Sequence, residues 1–146
     1  MPSTTFRKNA VLGVTRGTAY APPANWYVAL FTASPTQTGS LTNELPIGAN
    51  GYSRQIVPAS TSAWDAIADI GVANGRFTQN TNAVTFTFTG NAGTVTHWGL
   101  MDASTGGNMH HYGTIDVAGI PTPQATGNGV TITFHAGGLD LGERDV

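Results

Sequence analysis

The stretch Val84-Thr85-Phe86-Thr87-Phe88-Thr89 alternates apolar and threonine side chains without a break. Successive side chains on a β-strand point to opposite faces, so Val84, Phe86 and Phe88 share one face and the threonines the other. On a helix the same period of two would scatter the apolar side chains around the axis. β-Branched threonine adds its own preference for extended backbone. The pattern recurs at Val130-Thr131-Ile132-Thr133-Phe134-His135. Strands with one apolar face need a second layer to cover it, so the alternation already predicts packed sheets.

Other segments agree. In Trp26-Tyr27-Val28-Ala29-Leu30-Phe31-Thr32 both alternate sets are apolar, which predicts a central strand covered on both faces. Asn50-Gly51 signals a tight turn before a strand from Tyr52 to Val57, closed by Pro58. Gly90-Asn91-Ala92-Gly93 reads as a hairpin connection from strand 84–89 to a return strand, Thr94 to Met101. Gly99 inside that strand predicts a bulge or a close backbone approach. A glycine-containing loop, 102–108, precedes a strand over 109–117. Residues 58–76 are irregular in pattern, and 63–68 suit either a short helix or an irregular crossing. One segment reads as a helix: over 4–14, Phe6, Ala10, Val11 and Val14 fall on a single face, with Ser3, Thr4 or Thr5 to cap it. Gly13 and Gly17 weaken or end it. The expected fold is all-β, an antiparallel β-sandwich of plain or jelly-roll type. Residues 1–25 form an N-terminal helix or arm, and 26–146 form a single sandwich domain.

Charge narrows the function. Only 10% of residues are charged and 40% are hydrophobic, against roughly 25% charged in an ordinary soluble domain. Threonine, serine, asparagine and glycine must supply the polar surface, which suits contact with neighbouring subunits because no charge has to be desolvated. A net charge of −2 gives no basic field to hold nucleic acid, so no specific nucleic-acid partner is expected. No apolar run reaches membrane-span length, the first residues lack a basic-then-apolar leader pattern, and there is no cysteine.

Catalytic chemistry finds little footing. There is no Gly-x-Ser-x-Gly elbow, and the eight acids are scattered. His97, Asp102, His110 and His111 are the nearest approach to a metal or triad constellation. Adjacent residues on a strand point to opposite faces, so at most one of His110 and His111 can join His97. The expectation is a non-enzymatic chain with no catalytic residues, no metal and no cofactor. Trp26, Trp64 and Trp98 are candidates for the core or for stacking sugars. Arg7, Lys8 and Arg16 put half of the six cations into the N-terminal segment, while Asp140, Glu143 and Asp145 crowd the C-terminal end. Phe6, Arg7, Lys8 and Arg16 are therefore the candidate interaction arm, and Asp140, Glu143 and Asp145 the candidate acidic tail contacts.

Several pieces carry a family resemblance through their order and spacing. They are Trp26 to Thr32 followed by Pro35; Asn43-Glu44; Gly51-Tyr52-Ser53-Arg54-Gln55; Asn82-Ala83-Val84-Thr85-Phe86; Gly93-Thr94-Val95-Thr96-His97-Trp98-Gly99-Leu100; and Gly106-Gly107-Asn108 with Tyr112-Gly113. Across nearly the whole chain the sequence resembles small virion structural proteins of tailed bacteriophages, commonly labelled tail-fibre or minor structural proteins; residues 58–76 depart most. The resemblance implies a structural subunit without enzymatic activity, located in the virion and assembled in the host cytoplasm. Its partners would be other virion proteins, major capsid or tail proteins, and it would form a homo-oligomer, a trimer by lattice logic. Capsid decoration or cementing and a tail or fibre-base role both fit. The alternative is a carbohydrate-binding adhesin module for host-surface attachment, which needs exposed tryptophans.

Overall fold

In a computed structural model the described residues are 3–69 and 75–144, with backbone alone for Glu143 and Arg144. One helix, α1 (Thr5–Thr15), precedes thirteen strands among these residues. Thr4 caps α1 from an extended conformation, its hydroxyl accepting the Arg7 N–H at 3.2 Å. Gly17 ends it at φ +79°. The Gly17 N–H donates to the Val14 carbonyl and the Thr18 N–H to the Gly13 carbonyl, which closes the last turn in a Schellman motif.

The strands are β1 (Asn25–Phe31), β2 (Gln55–Pro58), β3 (Ala68–Asp69), β4 (Gly75–Gln79), β5 (Val84–Thr87), β6 (Thr94–Val95), β7 (His97–Met101), β8 (Met109–Thr114), β9 (Asp116–Val117), β10 (Ile120–Pro121), β11 (Gln124–Ala125), β12 (Thr131–Phe134) and β13 (Asp140–Arg144). All their pairings are antiparallel. The main sheet has the order β2-β1-β7-β8. Opposite it lie the β12-β5 pair and the β13-β4-β3 sheet, while β11-β6 and β10-β9 are short ribbons. No helix among the described residues is long and apolar enough to cross a membrane.

The sandwich core follows from the alternation. Val28 and Leu30 of β1 and Trp98 and Leu100 of β7 pack in one cluster with Phe86 of β5 and Phe134 of β12. Phe134 meets Phe86 and Trp98 edge-on, at centroid distances of 6.3 and 6.2 Å. The other residues of β1 face the other way: Ala29 and Phe31 join Met101 and Met109 in a second cluster, covered by Tyr27, Leu41 and Tyr112. Thus β1 is covered on both faces as its composition predicts. The second cover comes from the loop after β1, tied back by the Thr32 N–H to the Asn43 carbonyl and the Leu45 N–H to the Leu30 carbonyl.

Three sequence expectations are corrected. Strand 84–89 does not form a hairpin with 94–101. β5 pairs with β12, where the outward hydroxyls of Thr85 and Thr133 lie 3.0 Å apart. The segment 94–101 breaks at Thr96; β6 pairs with β11, and β7 lies between β1 and β8. Trp98 of β7 meets Phe134 of β12, the strand paired with β5, across the core, so β5 and β7 belong to opposite layers, and residues 90–93 carry the chain between them. Similarly, 109–117 divides at Ile115 into β8 and β9. For 63–68, left open between a short helix and an irregular crossing, the structure has the irregular form: a turn from Ser60 to Trp64, with Trp64 bridged to Asn80, and no regular structure over 65–67. Gly99 proves to be a close-approach site: a Cβ there would lie 2.8 Å from Met109 Cε and 3.1 Å from the Phe31 ring.

Candidate interaction site

The N-terminal segment is stitched to the outer edge of β8. The Thr4 N–H donates to the His110 carbonyl at 3.0 Å, the Thr4 hydroxyl donates to the Met109 carbonyl, and Ser3 bridges to His111. The Thr5 N–H reaches the Gln37 carbonyl at 2.8 Å. Ser3 and Thr4 are buried, and they cover backbone that an edge strand would otherwise offer to another chain. From Thr5 onward the picture reverses. No residue of α1 is buried, and Val11, Leu12 and Val14 are 49%, 64% and 61% exposed. Of the four arm candidates, Phe6 turns onto His110, Arg7 lines a cleft described below, and Lys8 and Arg16 are exposed.

The register of β7 and β8 slips between Leu100 and Met101, which pair with His111 and Met109. His110 is the extra residue of this bulge. A bulge breaks strict alternation, so the two adjacent histidines need not point to opposite faces. The His110 ring lies 4.7 Å from Trp26, and His111 lines a cleft with that same Trp26. His97 is elsewhere, opposite Thr114 with its Nδ1 2.8 Å from the Thr96 hydroxyl. No group of three His, Asp or Glu able to hold a metal forms among the described residues.

His110 is fully buried in an aromatic cage of Phe6, Tyr20 and Trp26. Its Nε2 is 3.1 Å from the Tyr20 hydroxyl and 3.8 Å from Asp102 Oδ2, while Nδ1 has no hydrogen-bond partner among the described residues. Burial lowers the His110 pKa to about 4, Arg7 pushes it the same way, and Asp102 opposes them. The ring is therefore neutral at pH 7, an apolar-packed pin between α1 and β8.

A second buried node was not anticipated. Arg54 holds Glu44 bidentately, Nε to Oε1 and Nη2 to Oε2 both at 2.7 Å, with side chains 0% and 8% exposed. Its Nη1 donates to the carbonyls of Ala103 and Gly106 at 2.7 and 2.8 Å. Tyr52 donates its hydroxyl to Glu44 and accepts the Leu30 N–H, both at 3.0 Å. Burial first, then the Glu44 charge, pushes the Tyr52 phenol well above its ordinary range. Three of the sequence pieces quoted above, Asn43-Glu44, Gly51 to Gln55 and Gly106 to Asn108, thus meet at one point. The inward alternation of Tyr52 with Arg54 was the signal available for it.

Below the His110 cage, a cleft of about 230 Å³ opens beside β4 and β13. Trp26, Trp64, Ile67, Phe77, Leu100 and Leu141 form its apolar lining, with Arg7, Arg76, Thr78 and His111 as its polar members. Trp64 is oriented by its indole N–H donating to the Pro58 carbonyl at 3.1 Å. Trp26 and Trp64 are half-buried, whereas Trp98 is core. Among the acidic tail candidates, Asp140 is exposed at the start of β13 and Glu143 lies opposite Arg76 in the strand register. Asp145 lies outside the described residues.

Comparison with known proteins gives this β-sandwich a family. No curated protein matches the chain. Residues 2–142 match the family described as Podophage GP4 fiber I protein gp80, leaving out only Met1 and residues 143–146. The chain therefore belongs to the podophage GP4 fiber I protein gp80 family and is a structural component of a tailed-phage virion.

Proposed function

We propose that this chain is a non-enzymatic subunit at the base of a phage fibre, a homo-oligomer that docks other virion proteins through α1. Residues 1–25 act as the docking arm and 26–146 as the single body that presents it. The observation that carries this reading is the uncovered helix. An isolated helix of this length is marginal in water and normally gains its stability by packing an apolar side. α1 is capped at both ends and pinned at its start, yet buries none of its residues. Val11, Leu12 and Val14 are then a surface that a second molecule covers. Lys8 and Arg16, exposed on the same helix, steer an acidic partner, and Asp140, Glu143 and Asp145 on a neighbouring copy offer matching charge. Membership of a fibre family favours the fibre base over capsid decoration.

The double variant Leu12→Glu, Val14→Glu tests the reading in particles. The purified variant chain keeps its thermal midpoint but is lost from assembled virions. Incorporation at the wild-type level would refute docking through α1. A second reading, a saccharide-binding adhesin, is favoured by one feature: Trp26 and Trp64 stand half-buried along a cleft rather than inside the core.

A further inference from the structure

We infer that a cleft beside β12 takes one extended peptide segment of another virion protein, added as a strand to the free edge of β12, with alternate apolar side chains inward and a basic residue near Asp116. The inference does not depend on docking through α1.

Backbone geometry comes first. Among the described residues β12 pairs with β5 and with no other strand. The Phe88 N–H donates to the Val130 carbonyl at 2.9 Å, and the Gly129 N–H, at φ +78°, donates to the Phe88 carbonyl; this bulge sets the phase of the pair. Two residues further, Ile132 faces Phe86 with its backbone groups toward β5, so those of Thr131 and Thr133 point away from it. Such an edge is a template for another chain, and sheets blunt it with proline, charge or a covering segment. The edge of β8 lies under Ser3 and Thr4, and β2 ends on Pro58. Thr131-Ile132-Thr133-Phe134 has no proline and no charge. Shape comes second. A cleft of about 510 Å³ is lined by all four residues of β12 and by none of β5, which puts it on the free side. Residues 115–118 form its far wall. Four strand residues span about 13 Å, which gives the cleft a mean cross-section of about 40 Å², against about 47 Å² for one strand at spacings of about 4.7 and 10 Å. One strand fits, whereas the β12 edge of a second copy would bring its own β5 behind it. The lining comes third. Inward side chains of an added strand would cover Val117, which is 61% exposed, and meet Ile132 and Phe134. Asp116 is exposed in the wall, and among the described residues no Lys or Arg lines the cleft, so the complementary strand carries a cation.

Nuclear magnetic resonance of the isotope-labelled full chain tests this, with the capped peptide Lys-Thr-Val-Thr-Val-Thr as the probe. Saturable binding is expected with a Kd on the order of 0.1 mM, weak because the peptide is ordered on binding. The amides of Thr131 and Thr133 should shift, and their hydrogen exchange should slow at least tenfold. Two versions of the peptide, N-methylated at alternate sets of amides, should differ at least tenfold in affinity, because one set faces β12 and the other does not. Glutamate in place of the peptide lysine should weaken binding at least threefold, and Asp116→Asn should erase that difference. No saturable binding, or equal affinity of the two N-methylated versions, would overturn strand addition. Saturable shifts that leave Thr131 and Thr133 unmoved would overturn the location. Equal affinity of the lysine and glutamate peptides would overturn the basic class. Protection of Thr131 and Thr133 that grows with protein concentration alone would overturn the foreign strand in favour of a second copy.

Discussion

Replacing Arg54 by alanine should be among the most damaging single changes outside the apolar core. The guanidinium is completely buried and makes four hydrogen bonds, two to Glu44 and two to the carbonyls of Ala103 and Gly106. Removing it strands the Glu44 carboxyl without its counter-charge and leaves two loop carbonyls unsatisfied. Breaking one side of a buried ion pair costs about 3–5 kcal/mol. With about 2.1 cal/mol/K of unfolding entropy per residue, each kcal/mol moves the midpoint of this chain by about 3 °C. The predicted fall in Tm is therefore about 10–15 °C, read by thermal unfolding or by the shift in urea midpoint. Arg76→Ala is the internal reference. It breaks an exposed pair, worth at most about 1 kcal/mol, and should move Tm by no more than about 3 °C. The double variant Arg54→Met, Glu44→Leu should recover much of the loss, because it removes the buried charge along with its partner. If Arg54→Ala cost no more than Arg76→Ala, the reasoning that this node joins three segments would be refuted.

Two further predictions concern the docking of α1 and the packing of the main sheet. His110 has its pKa lowered in the fold to about 4 from an ordinary 6.5, so between those values the unfolded chain binds the proton first. Stability should be complete above pH 6.5 and fall as the pH drops toward 4, by up to about 3 kcal/mol from this group. Urea unfolding at pH 7.5 and 4.5 measures the slope, and His110→Phe should flatten it; an unchanged slope in that variant would assign the acid sensitivity elsewhere. Gly99→Ala should destabilise by about 1–3 kcal/mol through overpacking, since the new methyl would meet Met109 and Phe31 at 2.8 and 3.1 Å. A variant within error of wild type in urea would show that this contact relaxes freely.

What could be read from sequence and what could not divide on physical lines. Alternation reports burial directly, so Val84, Phe86, Ile132 and Phe134 were correctly placed inward and the threonines outward. The doubly apolar run around Leu30 announced a strand covered on both faces, and Thr4 and Gly17 marked the helix ends. Partnership is a different matter. The adjacency of 84–89 and 94–101 suggested a hairpin, but β5 pairs with residues 44 or more positions away. Periodicity says which face a residue takes, not which strand lies beside it. The His110 bulge was invisible for a related reason: one extra residue in one strand exists only relative to its partner. Arg54 and Glu44 lie ten positions apart across a turn and a loop, and only the fold brings them together. Trp26 and Trp64 were expected to be core or sugar-stacking, and it took the edge of the sandwich to place them along a cleft.

Electron cryomicroscopy of intact particles with this chain traced in the density tests the fibre-base assignment most directly. The prediction is a symmetric homo-oligomer at the tail, in a few to a few dozen copies, with Val11, Leu12 and Val14 buried against another polypeptide. Hundreds of copies over the capsid surface, or a tail-bound subunit whose α1 faces solvent, would contradict it.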